Sequence, residues 1–211
     1  MKIVETSIPG VLIIEPTVIG DARGFFQETW RQDRYKEIGI DGRFLQDNLS
    51  FSAHGVLRGL HYQHPHGQGK LVSVIQGEVF DVAVDIRADS PTFGQWVGVT
   101  LSGENHHQFW IPPGFAHGFC VMSKNAYFMY KCTDLYTPEA EGGIAWDDPD
   151  IGIKWPLRDV LLSGKDKEYP RLKDVPSISL PVMCEENRYE DSSDRSKWTA
   201  RPRDSQTRRI I

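Results

Sequence analysis

The stretch best equipped to do chemistry is residues 54–70, HGVLRGLHYQHPHGQGK, which holds four of the chain's seven histidines together with Arg58 and Lys70. His64-Pro65-His66 has a spacing that metal sites use. It is also flanked by Gly67 and interrupted by Pro65, where exposed loop histidines are the ordinary outcome. His61 differs. It lies in Arg58-Gly-Leu-His-Tyr62, a strand-like run of basic and aromatic residues with Lys70 close behind. A lone histidine is most often structural. In this company it is a candidate base, because imidazole is the side chain whose ordinary pKa suits proton abstraction near neutrality. The three cysteines (Cys120, Cys132, Cys184) are odd in number and widely spaced, and no two form a CxxC. They read as reduced thiols of a cytoplasmic protein, with no zinc site.

Something must hold these residues in place, and the surrounding pattern is β. Residues 78–86 alternate: Phe80, Val82, Val84 and Ile86 point one way, and Val79, Asp81, Ala83 and Asp85 the other, as in a half-buried strand. Residues 70–75, 96–101, 108–111, 117–122 and 126–133 are short and rich in β-branched or aromatic side chains. Turn signals separate them, such as Gln76-Gly77, Asp89-Ser90-Pro91 and Pro112-Pro113-Gly114. Short strands at this spacing predict a sandwich or barrel. Helix is expected only at 30–39, stopped by Gly39, and in a short piece at 157–162.

A length of 211 residues allows one domain with an appendage. The net charge of −5 argues against a nucleic-acid binder or an anionic-membrane binder. No apolar run is long enough to span a bilayer, and Glu5 and Pro9 interrupt the stretch where a signal peptide would be apolar. Residues 177–211 are Ser-, Arg- and Asp-rich, carry a net +1 against −6 for the rest, and resemble disorder. Trp198, Ile210 and Ile211 nevertheless predict that this tail docks on the body or on a partner chain.

Two resemblances sharpen this reading. In metal-binding cupin barrels an HxH pair is followed by a glutamate ligand and a turn glycine. In this chain Lys70 stands at the glutamate position, with Gly77 beyond, and a cation there opposes metal binding. Pro112–His117 fits the second cupin block, without its usual asparagine. The sequence thus resembles a mainly β, cupin-type double-stranded β-helix (a jelly-roll barrel) whose metal site has been lost, with few short helices and a C-terminal extension.

More specifically, the chain resembles the dTDP-4-dehydrorhamnose 3,5-epimerase family. The resemblance is carried by Asp21-Ala-Arg-Gly-Phe-Phe-Gln-Glu28, Gln46-Asp-Asn48, Val56-Leu-Arg-Gly-Leu-His-Tyr-Gln63, Gly69-Lys-Leu-Val72 and residues 77–87. It continues through Ser90-Pro-Thr-Phe-Gly94, residues 110–119, Met129-Tyr130, Tyr136 and Leu162-Ser-Gly-Lys-Asp166. Any one block is weak, but their order and spacing run from residue 1 to about 176. The expected division is therefore a catalytic domain at 1–176 and an extension at 177–211 outside the family pattern.

The resemblance implies inversion of C3′ and C5′ in a dTDP-linked 4-keto-6-deoxy sugar, on the route to dTDP-L-rhamnose, with no cofactor. His61 matches the family's base and Asp166 the carboxylate that orients it. Lys70 matches the cation near the enolate oxygen, and Tyr130 the acid on the opposite face of the ring; Tyr136, six residues on and on the same strand face if the strand runs that far, is the alternative acid. Arg23 and Arg58 match phosphate contacts, with Lys165 assisting. Phe26, Glu28, Gln46, Asn48, His117 and Tyr136 match other substrate contacts. The family also implies a homodimer in which exchanged N-terminal strands carry Arg23–Glu28 into the neighbouring chain's site. Without the resemblance, Asp166 reads as a solvated loop charge, Tyr130 as a barrel-wall tyrosine and Lys70 as a strand-start lysine. Three alternatives stand beside this reading: a mono-epimerase or 3,4-ketoisomerase on a related nucleotide sugar, a non-catalytic sugar-binding cupin, and a metal-dependent oxygenase, which Lys70 disfavours.

Overall fold

The computed structural model describes residues 1–183. The chain opens with four short strands, β1 (Lys2–Glu5), β2 (Leu12–Glu15), β3 (Val18–Asp21) and β4 (Gly24–Gln27), and then forms its one α-helix among the described residues, α1 (Gln32–Lys36). Eight further strands follow, all but β10 longer than these: β5 (Gln46–Ala53), β6 (Leu57–Gln63), β7 (Lys70–Gln76), β8 (Glu78–Asp85), β9 (Trp96–Ser102), β10 (Gln108–Ile111), β11 (Phe115–Val121) and β12 (Asn125–Cys132). A last short strand, β13 (Glu141–Gly143), precedes a C-terminal segment with three 3-10 turns.

Two antiparallel sheets face each other. One has the order β1-β2-β10-β7-β12-β5 and the other β13-β6-β11-β8-β9. β3 and β4 form a separate hairpin. Period-2 alternation sends Val72 and Val74 of β7 and Ala126 and Phe128 of β12 inward. There they meet Val79, Ala83, Phe115, Phe119 and Val121 from the second sheet. This is the cupin-type jelly roll that the sequence resembles.

The expected half-buried β8 is buried on both faces. Its Val82 and Val84, with Ile86 just past its end, pack under a cover supplied by Ile144, Ile153, Trp155, Leu172 and Leu180. The strand keeps its period of two, but the cover comes from chain more than fifty residues away. That cover runs past residue 176: Leu180 is 6% exposed, and the Pro181 carbonyl accepts from the Ala88 N–H at 2.8 Å. Expectations about Cys184, Trp198, Ile210 and Ile211 lie outside the described residues.

The helix at 30–39 shortens to 32–36, but Gly39 ends it as expected. Gly39 has φ +87°, and the Ile40 N–H reaches back to the Tyr35 carbonyl at 2.9 Å in a Schellman-type cap. No helix forms at 157–162. The Leu161 N–H and carbonyl instead bond Gly55 and Leu57, and this tertiary pairing overrides local preference. No helix among the described residues is long and apolar enough to cross a membrane.

Candidate active site

One mouth of the barrel stays open. A cleft of about 260 Å³ is lined by Gln46 and Asn48 from β5, His61 and Gln63 from β6, Lys70 from β7, Tyr130 from β12, and Tyr136 and Glu141 beyond it. Strand parity places most of these side chains. Lys70 shares the inward face of Val72 and Val74, and Tyr130 that of Phe128, so the apolar core continues directly into the reactive mouth.

β6 needs a further device. Arg58 and His61 are three residues apart, which in a regular strand puts them on opposite faces. The ladder to β11 pairs His61 with His117 but Arg58 with Phe119, so two residues of β6 face the single residue Gly118. This bulge turns both side chains inward, and Arg58 Nε donates to Ser52 on the inner face of β5 at 3.0 Å. Glycine is required there. Gly59 has φ +117°, and a Cβ on it would stand 2.6 Å from Gly118 Cα.

His61 Nε2 lies 2.6 Å from Asp166 Oδ1. Asp166 sits in the 3-10 turn Lys165–Lys167, is 4% exposed, and also accepts from Ser163 Oγ at 2.8 Å. Burial pushes its carboxyl upward, but the hydrogen bonds from His61 and Ser163 outweigh it and hold it below the usual range. An ionised Asp166 only accepts, so His61 Nε2 carries the proton and Nδ1 is the basic nitrogen.

Lys70 is half-buried, and among the described residues its ammonium has neither hydrogen-bond nor ion-pair partner. Burial lowers its pKa, partly offset by Cys132, Asp81 and Glu141. Tyr130 is pushed above its ordinary value by burial, so its hydroxyl stays protonated at neutral pH. A base with an oriented imidazole, a protonated phenol and an unpaired cation thus share one small cleft.

Comparison with known proteins agrees. A sequence model of the family described as dTDP-4-dehydrorhamnose 3,5-epimerase matches residues 5–174. The chain belongs to that family. The Shigella flexneri dTDP-4-dehydrorhamnose 3,5-epimerase is 58% identical over 168 residues, 79% of this chain and 93% of the relative. A crystal structure of the Legionella pneumophila 3,5-epimerase in complex with dTDP-4-keto-L-rhamnose matches with a TM-score of 0.85 at 58% identity. It covers 87% of this chain and 98% of that one. More distantly, a 3′-monoepimerase from Streptomyces bikiniensis in complex with dTDP-quinovose matches with a TM-score of 0.79 at 34% identity, over 84% and 91% of the two chains.

Within this epimerase the structure unites some anticipated residues and separates others. His61, Lys70, Tyr130, Gln46, Asn48 and Tyr136 line the cleft. Asp166 stands behind His61. Tyr136 lies beyond the end of β12, so it reaches the cleft from a loop rather than along the strand face. Lys165 and Tyr136 are joined at the rim by Glu141, which accepts from Lys165 Nζ at 2.7 Å and from Tyr136 Oη at 2.8 Å. Glu141 carries no motif and was not anticipated; only the pairing of β13 with β6 brings it in.

His117 does not line the cleft but lies 7% exposed beneath it, bonded to Asp81. Arg23, Phe26 and Glu28 are not at their own chain's cleft. Arg23 is 89% exposed and pairs with Asp21, Phe26 is 68% exposed on the hairpin, and Glu28 pairs with Arg34. His64 and His66 are loop residues, His66 with φ +66°.

Proposed function

We propose that this epimerase converts dTDP-4-dehydro-6-deoxy-D-glucose to dTDP-4-dehydro-L-rhamnose in the cytoplasm by two proton exchanges. The 4-keto group acidifies the C3′ and C5′ protons. His61 Nδ1 removes one, leaving an enolate, and Tyr130 returns a proton to the opposite face, inverting the carbon. Asp166 holds the imidazole tautomer and stabilises the imidazolium that forms. Lys70 stabilises the charge as it develops on O4, an electrostatic contribution of about 3–4 kcal/mol by analogy with a single oxyanion donor. Arg58 and Lys165 hold the diphosphate, and Gln46, Asn48 and Tyr136 the nucleoside. The observation that carries this reading is the 2.6 Å His61–Asp166 pair opening onto a cleft that also holds an unpartnered Lys70.

The active unit is a homodimer. The β3–β4 hairpin exposes Ile19 (64%), Phe25 (62%) and Phe26 (68%), more apolar surface than an isolated hairpin keeps in water. Docked on a second copy, it covers that surface and carries Arg23, Phe26 and Glu28 to the partner's cleft. The outer face of β5, β12 and β7, with Leu49, Phe51, Tyr127 and Ile75 uncovered, supports the same assembly.

Incubation with dTDP-4-keto-6-deoxyglucose in D₂O, followed by NMR, tests the chemistry. Deuterium at both C3′ and C5′ is the expected result. Label at C3′ alone would favour the second reading, a mono-epimerase, which the Streptomyces bikiniensis match keeps in view. Absence of exchange would overturn both.

A further inference from the structure

Glu141 sits where β13 pairs with β6, opposite Gln63, and its side chain is 17% exposed. Its two oxygens are separately engaged. Oε1 accepts from Lys165 Nζ at 2.7 Å and Oε2 from Tyr136 Oη at 2.8 Å. Burial pushes the Glu141 carboxyl up, but the bonds from Lys165 and Tyr136 outweigh it and hold the group below its ordinary value. Glu141 is therefore an anion at neutral pH and only accepts, so the phenol of Tyr136 is the donor and its proton is committed to the carboxylate. The other tyrosine of the cleft is placed differently. Tyr130 Oη has no hydrogen-bond partner among the described residues.

Tyr136 is fixed at its backbone as well. Its N–H donates to Gln46 Oε1 at 2.8 Å, and the next N–H, that of Thr137, donates to Gln63 Oε1 at 2.8 Å. Gln63 is 6% exposed and also donates from Nε2 to the Leu135 carbonyl at 3.2 Å. Strands β5 and β6 thus clamp the loop around Tyr136, and β13 clamps its hydroxyl. An exposed ion pair by itself contributes little, because two long side chains must be ordered to make it. Here the carboxylate is held by a sheet and the phenol by a clamped loop, so much of that ordering is done by the fold before a ligand arrives.

We propose that Glu141 is a positioning residue for the nucleotide half of the substrate: it ties Tyr136 and Lys165 into one rigid rim and keeps the Tyr136 proton out of the proton transfers, leaving Tyr130 as the acid. Glu141 takes one of the three N–H groups of Lys165, which leaves the others for phosphate oxygens. Tyr136 keeps its ring orientation and offers a ligand only the lone pairs of its oxygen. This inference rests on the contacts assigned to Tyr136 and Lys165 under the proposed function.

Glu141→Gln tests it, because glutamine keeps the shape and loses the charge. The expected result is a KM raised about tenfold and a dTDP affinity lowered by about the same factor in calorimetry, with kcat within about threefold of wild type. A fall in kcat at unchanged KM, or no change in either, would overturn the proposal. A second readout does not depend on turnover. In protein carrying isotope-labelled tyrosine, NMR is expected to show the Tyr136 phenol ionising at lower pH in Glu141→Gln than in wild type, since its carboxylate partner has gone; an unmoved titration overturns the proposal. Lys165 and Glu139, the other charged groups acting on Tyr136, are the same in both proteins. Adding Glu141→Gln to Tyr136→Phe/Lys165→Met protein should raise KM no further; a full second rise would mean that Glu141 does not act through them. Tyr136→Phe is expected to behave like Glu141→Gln, and a collapse of kcat would make Tyr136 the acid and overturn the proposal. Tyr136→Ala and Lys165→Ala separate the two levels. If neither weakens dTDP binding, the nucleotide role assigned to them fails, and the proposal with it. If both weaken it but Glu141→Gln does not, the inference about Glu141 alone fails.

Discussion

His61 and Asp166 are 105 residues apart in the chain, and their 2.6 Å bond is the shortest statement of what the cleft does. Asp166→Asn keeps the shape of the pair but no longer selects the reactive tautomer. It is expected to lower kcat by on the order of 10³–10⁴, with dTDP affinity nearly unchanged by calorimetry. The same substitution has a stability signature. The Asp166 carboxyl is depressed in the folded state, so its pairing stabilises the native state above the unfolded carboxyl value of about 4. That contribution is lost as pH falls through the lower folded value. Wild type and Asp166→Asn should therefore differ in melting temperature at pH 7 and converge in strong acid. Lys70→Ala should lower kcat by about 10²–10³ and raise KM much less, because its charge matters most as the enolate forms. A change in KM alone would make Lys70 a binding residue.

Among the elements, the β6 bulge is the most consequential. Without it, Arg58 and His61 would face opposite sides of the sheet. The bulge depends on Gly59 lying against Gly118, with the His117 carbonyl 2.6 Å from where a Cβ would sit. Gly59→Ala is expected to cost about 2 kcal/mol or more in denaturant unfolding and to lower kcat/KM as well, since the bulge aims both side chains. A stability loss with unchanged kinetics would show that the bulge is not needed for aim. The β8 alternation was legible in the sequence because Phe80, Val82, Val84 and Ile86 make one face continuously apolar. The bulge was not, because a two-against-one pairing depends on the register of a strand more than fifty residues away. Glu141 escaped for a similar reason: the sequence around it, Pro-Glu-Ala-Glu-Gly-Gly, carries turn signals and no chemistry of its own.

Across the whole molecule, the hairpin makes a distinctive prediction. Each proposed site joins His61 of one chain to Arg23 of the other. Homodimers of His61→Ala should be inactive, and those of Arg23→Ala should bind substrate poorly. When the two variants are mixed under subunit exchange, hybrid dimers contain one site with neither defect, and activity should rise well above the sum of the separate preparations. No gain, with exchange verified by mass spectrometry, would return the hairpin to its own chain. The charge balance also belongs to this scale. Residues 1–176 carry a net −6, yet the proposed ligand is an anion. In the proposed site Arg58, Lys70 and Lys165 serve it, because the placement of a few cations outweighs the net charge.

Amino-acid order alone determined the strand periodicity, the Gly39 stop, the presence of a base, an acid and a cation of the right kinds, and the family blocks. These are local features, set by side-chain chemistry and by the repeat of the backbone. Tertiary structure alone decided that Asp166 is a buried partner of His61 rather than a solvated loop charge. It also decided that β8 is covered on both faces and that His117 lies beneath the cleft on Asp81. Each of these depends on which distant segments meet, and that follows from how the two sheets close and what packs over them.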